Sequence, residues 1–265
     1  MRKKKKSFLK RLIYLTLIAL AGFIALQFIY PDISKLKKEN PKKTAMMEYR
    51  EEEWKEKGKK GGITQKWVPY SRISPFMTKA VLIGEDDKFW QHEGFDYTAM
   101  QKAIEKDIKA KKFKLGGSTI SQQLAKNLFL TPSKNPVRKV REAIITWRME
   151  RALSKKRILE IYLNVAEWGE GIFGIEAASR HYYGIPASSL NAEQSARLSA
   201  VLPNPRRFNP LGEQKYVVRR ADLIYSIMVK RGIVPPEFEE ISEDKETVSP
   251  PESDYVPINE TKSSQ

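Results

Sequence analysis

The chain has 265 residues, enough for one sizeable core once a terminal anchor and a tail are set aside. It contains no cysteine, which excludes disulfides, a thiolate nucleophile and zinc-thiolate sites. A net charge of +16 and a pI near 9.7 admit nucleic acid, an anionic membrane or an anionic substrate without choosing among them.

Residues 1–11 form a basic segment with seven Lys/Arg. Residues 12–30, LIYLTLIALAGFIALQFIY, are an uncharged run of 19 whose helical length of roughly 28 Å matches a hydrocarbon core. The Ala19-Leu20-Ala21 stretch resembles a signal-peptide cleavage site. The apolar run continues nine residues past it, so a retained transmembrane anchor is expected. The basic flank keeps the N-terminus cytoplasmic, and the following chain is exported on a single pass. An exported basic domain faces away from DNA, so nucleic acid is not an expected partner.

Residues 31–62 are densely charged and end at Gly61-Gly62, as a stalk or short helix would. Residues 63–232 alternate apolar helical stretches with short Gly/Pro/Ser breaks and predict one mainly α domain. Residues 233–265 are Pro-rich and acidic, as in a disordered tail.

Within the domain, an apolar helix ends in Glu85, Asp86 and Asp87, followed by Phe89, Trp90 and Phe95. A carboxylate among rings is desolvated, which suits a general base, although capping or solvated acids give the same pattern. His92 nearby reads as a hydrogen-bonded structural residue. In LGGSTISQQLAKNLFL, Thr119 and Gln122 have capping-box spacing, so a helix begins there with free N–H groups able to hold an anion. Gln122 and Lys126, with Gln123 and Asn127 beside them, extend a polar face from that end, which an ordinary solvated face also explains. Asn135-Pro136 announces a further helix that sets Arg138 and Lys139 alongside Glu142, a spacing shared with surface ion pairs. Ser154 opens another, with Ile158, Leu159, Tyr162 and Leu163 as a core stripe and Glu160 and Asn164 on a polar edge.

In this order, EDDKFWQHEGFD from Glu85, GGSTISQQLAKN from Gly116, RKVRE from Arg138, KKRILEIYLNVAEWGEGIFGIEAA from Lys155 and LPNPRRFNP from Leu202 resemble the peptidoglycan glycosyltransferase family, specifically its single-domain monofunctional members. The resemblance implies a mainly α-helical, lysozyme-like fold with a cleft between two lobes, preceded by one transmembrane helix in the bacterial cytoplasmic (inner) membrane. It implies lipid II and the growing glycan strand as partners at the extracytoplasmic face, alongside membrane lipid and room for other cell-wall synthesis proteins. By motif position, Glu85 would be the base for the acceptor's 4-hydroxyl and Glu142 the second essential carboxylate. Ser118, Thr119, Gln122, Gln123, Lys126, Arg138 and Lys139 would line the donor site around the lipid-linked diphosphate. Lys102 and Lys134 stand where many members carry Arg, which keeps the charge and loses the bidentate fork.

No cofactor is required by this chemistry. A divalent cation, Mg or Mn, with Glu142 as ligand is compatible with a diphosphate, but no metal-binding spacing forces it. With no Lys-Thr-Gly and little length to spare, the chain is expected to polymerise without cross-linking. Two rivals stand: a lysozyme-like lytic enzyme, which needs no diphosphate site, and a non-catalytic scaffold binding anionic lipid through its basic surface.

Overall fold

The computed structural model describes residues 10–19, 22, 29–110, 117–133 and 135–234. The expected acidic tail from residue 235 onward, and Lys134, lie outside the described residues. Residues 10–19 are helical and exposed, and most of the rest of the 12–30 run is likewise outside. Among the described residues no helix is long and apolar enough to cross a bilayer.

The molecule is mainly helical. In chain order it has α1 (Ala45–Glu56), α2 (Pro75–Glu85), α3 (Tyr97–Ala110), α4 (Ile120–Phe129), α5 (Pro136–Ala152), α6 (Lys155–Val165), α7 (Ile175–Tyr183), α8 (Ala192–Val201) and α9 (Lys215–Lys230). Among the described residues three short strands were not foreseen: β1 (Thr64–Gln65), β2 (Glu167–Gly169) and β3 (Ile172–Phe173), in the order β1-β3-β2. Strands of two or three residues are too short for alternation to register in the sequence. The expected helix starts are present. Thr119 and Gln122 close a full capping box, and Asn135 and Ser154 each accept a backbone N–H of the next turn.

Among the described residues the buried apolar side chains divide into two clusters. The larger gathers α2, α4, α5, α6 and α7 around the fully buried Phe89, Tyr162 and Trp168. The smaller joins α2, α8 and α9 through Ala80, Ala196, Ala200, Val217, Ala221, Ile224 and Met228. Helix α2 serves both, giving Met77, Val81 and Leu82 to the first and Ala80 to the second. Gly84 permits the close approach, because a Cβ there would meet Ser199 Oγ at 2.5 Å. The last residue of α2, Glu85, therefore emerges at the seam between the clusters.

The charged segment 31–62 holds the expected short helix, α1, and packs against the domain where a stalk would stand off. Ile33 and Leu36 are buried in the larger cluster, and Met47 and Trp54 of α1 are buried too. Arg157 fastens residues 36–40, donating to Leu36 O at 2.8 Å, Glu39 O at 2.9 Å and Asn40 Oδ1 at 2.8 Å. Arg148 donates to the carbonyls of Ile29 and Pro31, each at 2.8 Å. Arg50 of α1 grips the buried Glu167 through both carboxylate oxygens, and Trp54 Nε1 donates to Glu170 at 2.7 Å. High charge density hid this packing, because the apolar contacts are single residues among lysines and glutamates.

Candidate active site

Glu85 has a side chain only 10% exposed, held from both sides of the seam. Gln123 Nε2 on α4 donates to Glu85 Oε2 at 2.9 Å, and Arg220 on α9 donates to Glu85 Oε1 at 3.1 Å. The same guanidinium donates to Gly84 O at 2.7 Å, and its Nε is buried without a hydrogen-bond partner among the described residues. Burial raises the Glu85 carboxyl above its ordinary range, opposed by Gln123, Arg220 and the charge of Lys126. A desolvated carboxylate of raised basicity is what a general base near neutral pH requires.

The neighbouring acids have other duties. Asp86 is buried and accepts the backbone N–H of Ile120 at 2.9 Å, while its other oxygen meets His92 Nε2 at 2.9 Å. This corrects the expectation of an open anion site at the N-terminus of α4, because the protein supplies its own anion there. His92 is structural, as expected: its Nδ1 accepts from Gly94 N at 3.1 Å. Asp87 is exposed and paired with Arg231.

Thr119 and Gln122 are buried and consumed by the cap; the Thr119 hydroxyl also donates to Gly94 O at 2.7 Å. They shape the helix start, with the Thr119 hydroxyl and Gln122 Oε1 engaged within the protein. Ser118 and Gln123 remain partly open. One turn beyond Gln122 on α4 is the partly buried Lys126, which forms no ion pair or hydrogen bond among the described residues. Burial lowers its pKa; Glu142 and Glu85 pull the other way, and Arg138 and Lys139 add to the lowering. Lys126 thus lies in the field of both carboxylates.

Glu142 is 3% exposed on α5 and accepts from Lys139 at one oxygen and from Arg138 Nη1 at 3.3 Å at the other. Arg138 Nε also donates to Ser133 O at 2.7 Å. The expected grouping of Arg138, Lys139 and Glu142 is present, with the carboxylate inside and Lys139 reaching solvent. Lys102 is exposed on α3, and no hydrogen bond or ion pair joins it to these residues. Among the described residues no group of three or more His, Asp or Glu is placed to hold a metal ion.

Two participants were not read from the sequence. Arg220 sits on the buried stripe of α9 between Val217 and Ala221, and a charge on an apolar stripe was the available signal. Tyr162 was read as core, and it is 1% exposed, but its hydroxyl donates to Gln123 Oε1 at 3.0 Å.

Residues 53–229 match a family model described as Transglycosylase. Over 194 residues, 73% of this chain and 84% of the relative, the chain is 50% identical to a Nitrosospira multiformis protein named biosynthetic peptidoglycan transglycosylase. A Methylobacillus flagellatus protein of the same name is 48% identical over 213 residues, 80% of this chain and 93% of the relative. One from Aromatoleum aromaticum is 53% identical over 169 residues, 64% of this chain and 74% of the relative. With the matched region spanning Glu85, the cations Lys126, Arg138 and Lys139 and most of both apolar clusters, the chain belongs to the transglycosylase family.

Proposed function

We infer that this chain is a peptidoglycan glycosyltransferase that polymerises lipid II into linear glycan strands, with Glu85 as the base. The observation that carries the role of Glu85 is its burial at the seam between two donors, beside a Lys126 that has no partner among the described residues. The two apolar clusters support a lysozyme-like, two-lobed reading with the cleft along that seam.

Glu85 takes the proton from the acceptor's 4-hydroxyl as that oxygen attacks the donor's anomeric carbon. The bond to the diphosphate breaks as the glycosidic bond forms, so one displacement inverts the anomeric centre and no covalent enzyme intermediate is needed. Charge collects on the departing diphosphate, where fixed cations lower the barrier most. Lys126, Arg138 and Lys139 supply them, with Glu142 holding the latter two in place. No step is assigned to a divalent cation, since both Glu142 oxygens are already engaged by Arg138 and Lys139.

The diphosphate cluster favours synthesis over a lytic enzyme, which has no such leaving group to stabilise. The apolar run at residues 12–30 and its basic flank support an anchor in the bacterial cytoplasmic membrane, with the domain on the extracytoplasmic side. Purified Glu85→Gln should remain folded and make no glycan from lipid II. Substantial chain growth by that variant overturns the assignment of the base.

A further inference from the structure

We propose that Tyr162 is a positioning residue for glycosyl transfer: its buried hydroxyl fixes the Gln123 amide so that the nitrogen, and not the oxygen, faces the Glu85 carboxylate. The inference rests on the reading of Glu85 as base. A line of hydrogen bonds runs from Tyr162 Oη to Gln123 Oε1 at 3.0 Å and from Gln123 Nε2 to Glu85 Oε2 at 2.9 Å. Gln123 Nε2 also makes a long contact of 3.5 Å to Ser118 O.

An amide side chain has two faces of similar shape, and only its partners decide which atom points where. Turning Gln123 over would set its carbonyl oxygen against the carboxylate. It would also leave the fully buried phenolic hydrogen of Tyr162 without an acceptor among the described residues, at the cost of an unmade buried hydrogen bond. Burial, and the charges of Glu85 and Asp86, hold the Tyr162 phenol well above its ordinary pKa, so it stays a donor through the working range. The other groups facing Glu85 are Arg220 from α9 and Lys126 from α4, with Asp86 next in the chain. Neither cation orients Gln123. Tyr162 touches no reacting atom and acts only through the amide.

The consequence is read in pH dependence. Glu85 must be ionised to take the acceptor proton, so kcat/KM rises with pH through its pKa. A donor to the carboxylate lowers that pKa, and losing it moves the acid limb to higher pH. Tyr162→Phe keeps the ring and removes the hydroxyl. With purified full-length protein and lipid II, its acid limb should move up by about one pH unit, a loss of about tenfold on the acid side. The rate should recover on the alkaline plateau with KM unchanged. A loss of packing alone is not recovered by raising pH.

Gln123→Met should move the limb in the same direction, and the double variant should move it no further than Gln123→Met alone. A Tyr162→Phe limb coincident with the parent, a rate loss that persists on the plateau, or additive shifts would each overturn the proposal. If Tyr162→Phe does not fold, Gln123→Met carries the test, and an unmoved limb there overturns it equally. Glu85→Gln must be inactive at every pH in the same assay. Activity in that arm removes the base itself, a failure distinct from that of Tyr162.

Discussion

Glu85 is stabilised by two donors, yet burial outweighs them and its pKa lies above the ordinary value of 4.5. The unfolded chain therefore gives up this proton at lower pH than the folded one. As pH rises from 4.5 through the folded pKa, folding must bind a proton or bury a charge, so stability falls across that window. Glu85→Gln is neutral throughout. Its thermal midpoint should match the parent's below the carboxylate range and exceed it near neutrality, checked by scanning calorimetry at both. A lower midpoint near neutrality would mean that an unpaired Arg220 costs more than the buried charge. Glu85 was singled out because an acid followed by aromatic residues carries a desolvation signal, which capping or solvated acids share, and the resemblance to the family gave it the role of base. Arg220 was not, because it is 135 residues away and only the docking of α9 against α2 brings it to Gly84 and Glu85.

Among the elements, helix starts were the most legible part of the fold, since a cap and its first turn are contiguous in sequence. What a helix end faces is a tertiary matter. The N-terminus of α4 looked open to a ligand, but Asp86, 34 residues earlier, reaches it and accepts the Ile120 N–H. Helix α1 teaches the same lesson through charge. Glu53 joins Lys57 and Arg50 within the same helix region to Arg206 beyond α8, and Arg206 also pairs with Glu170. Lys57 first, then Arg50 and Arg206, lower the Glu53 pKa from 4.5 to about 2. A depressed carboxyl contributes stability that is complete above 4.5 and lost as pH falls toward about 2. Glu53→Gln should unfold at lower urea than the parent near neutrality. The gap should close as the pH of the titration approaches 2. A gap independent of pH would assign α1 docking to Met47 and Trp54 alone.

At the scale of the whole molecule, the boundary drawn from composition and the boundary drawn by packing differ. Charge and the Gly61-Gly62 pair mark residue 63 as the start of the domain, whereas the family match begins at residue 53 and buried residues occur from Pro31 and Ile33 onward. Ile33, Leu36, Met47 and Trp54 are each at most 7% exposed. Burying side chains of this size is worth about 1.5–3 kcal/mol each. Four of them weigh heavily against a typical total stability of about 5–15 kcal/mol. Arg148 and Arg157 then secure residues 29–40 by hydrogen bonds to carbonyls, an attachment with no sequence pattern to announce it. A chain starting at residue 63 should therefore aggregate or unfold at low temperature. One starting at residue 29 should fold cooperatively and keep the Glu85 site. Expression of both, followed by thermal unfolding and lipid II polymerisation in detergent, decides the matter. Equal stability of the two would return residues 29–62 to the role of a tether. If only the longer form folds, the segment next to the expected anchor is part of the catalytic body, and the cleft follows the anchor without a flexible stalk between them.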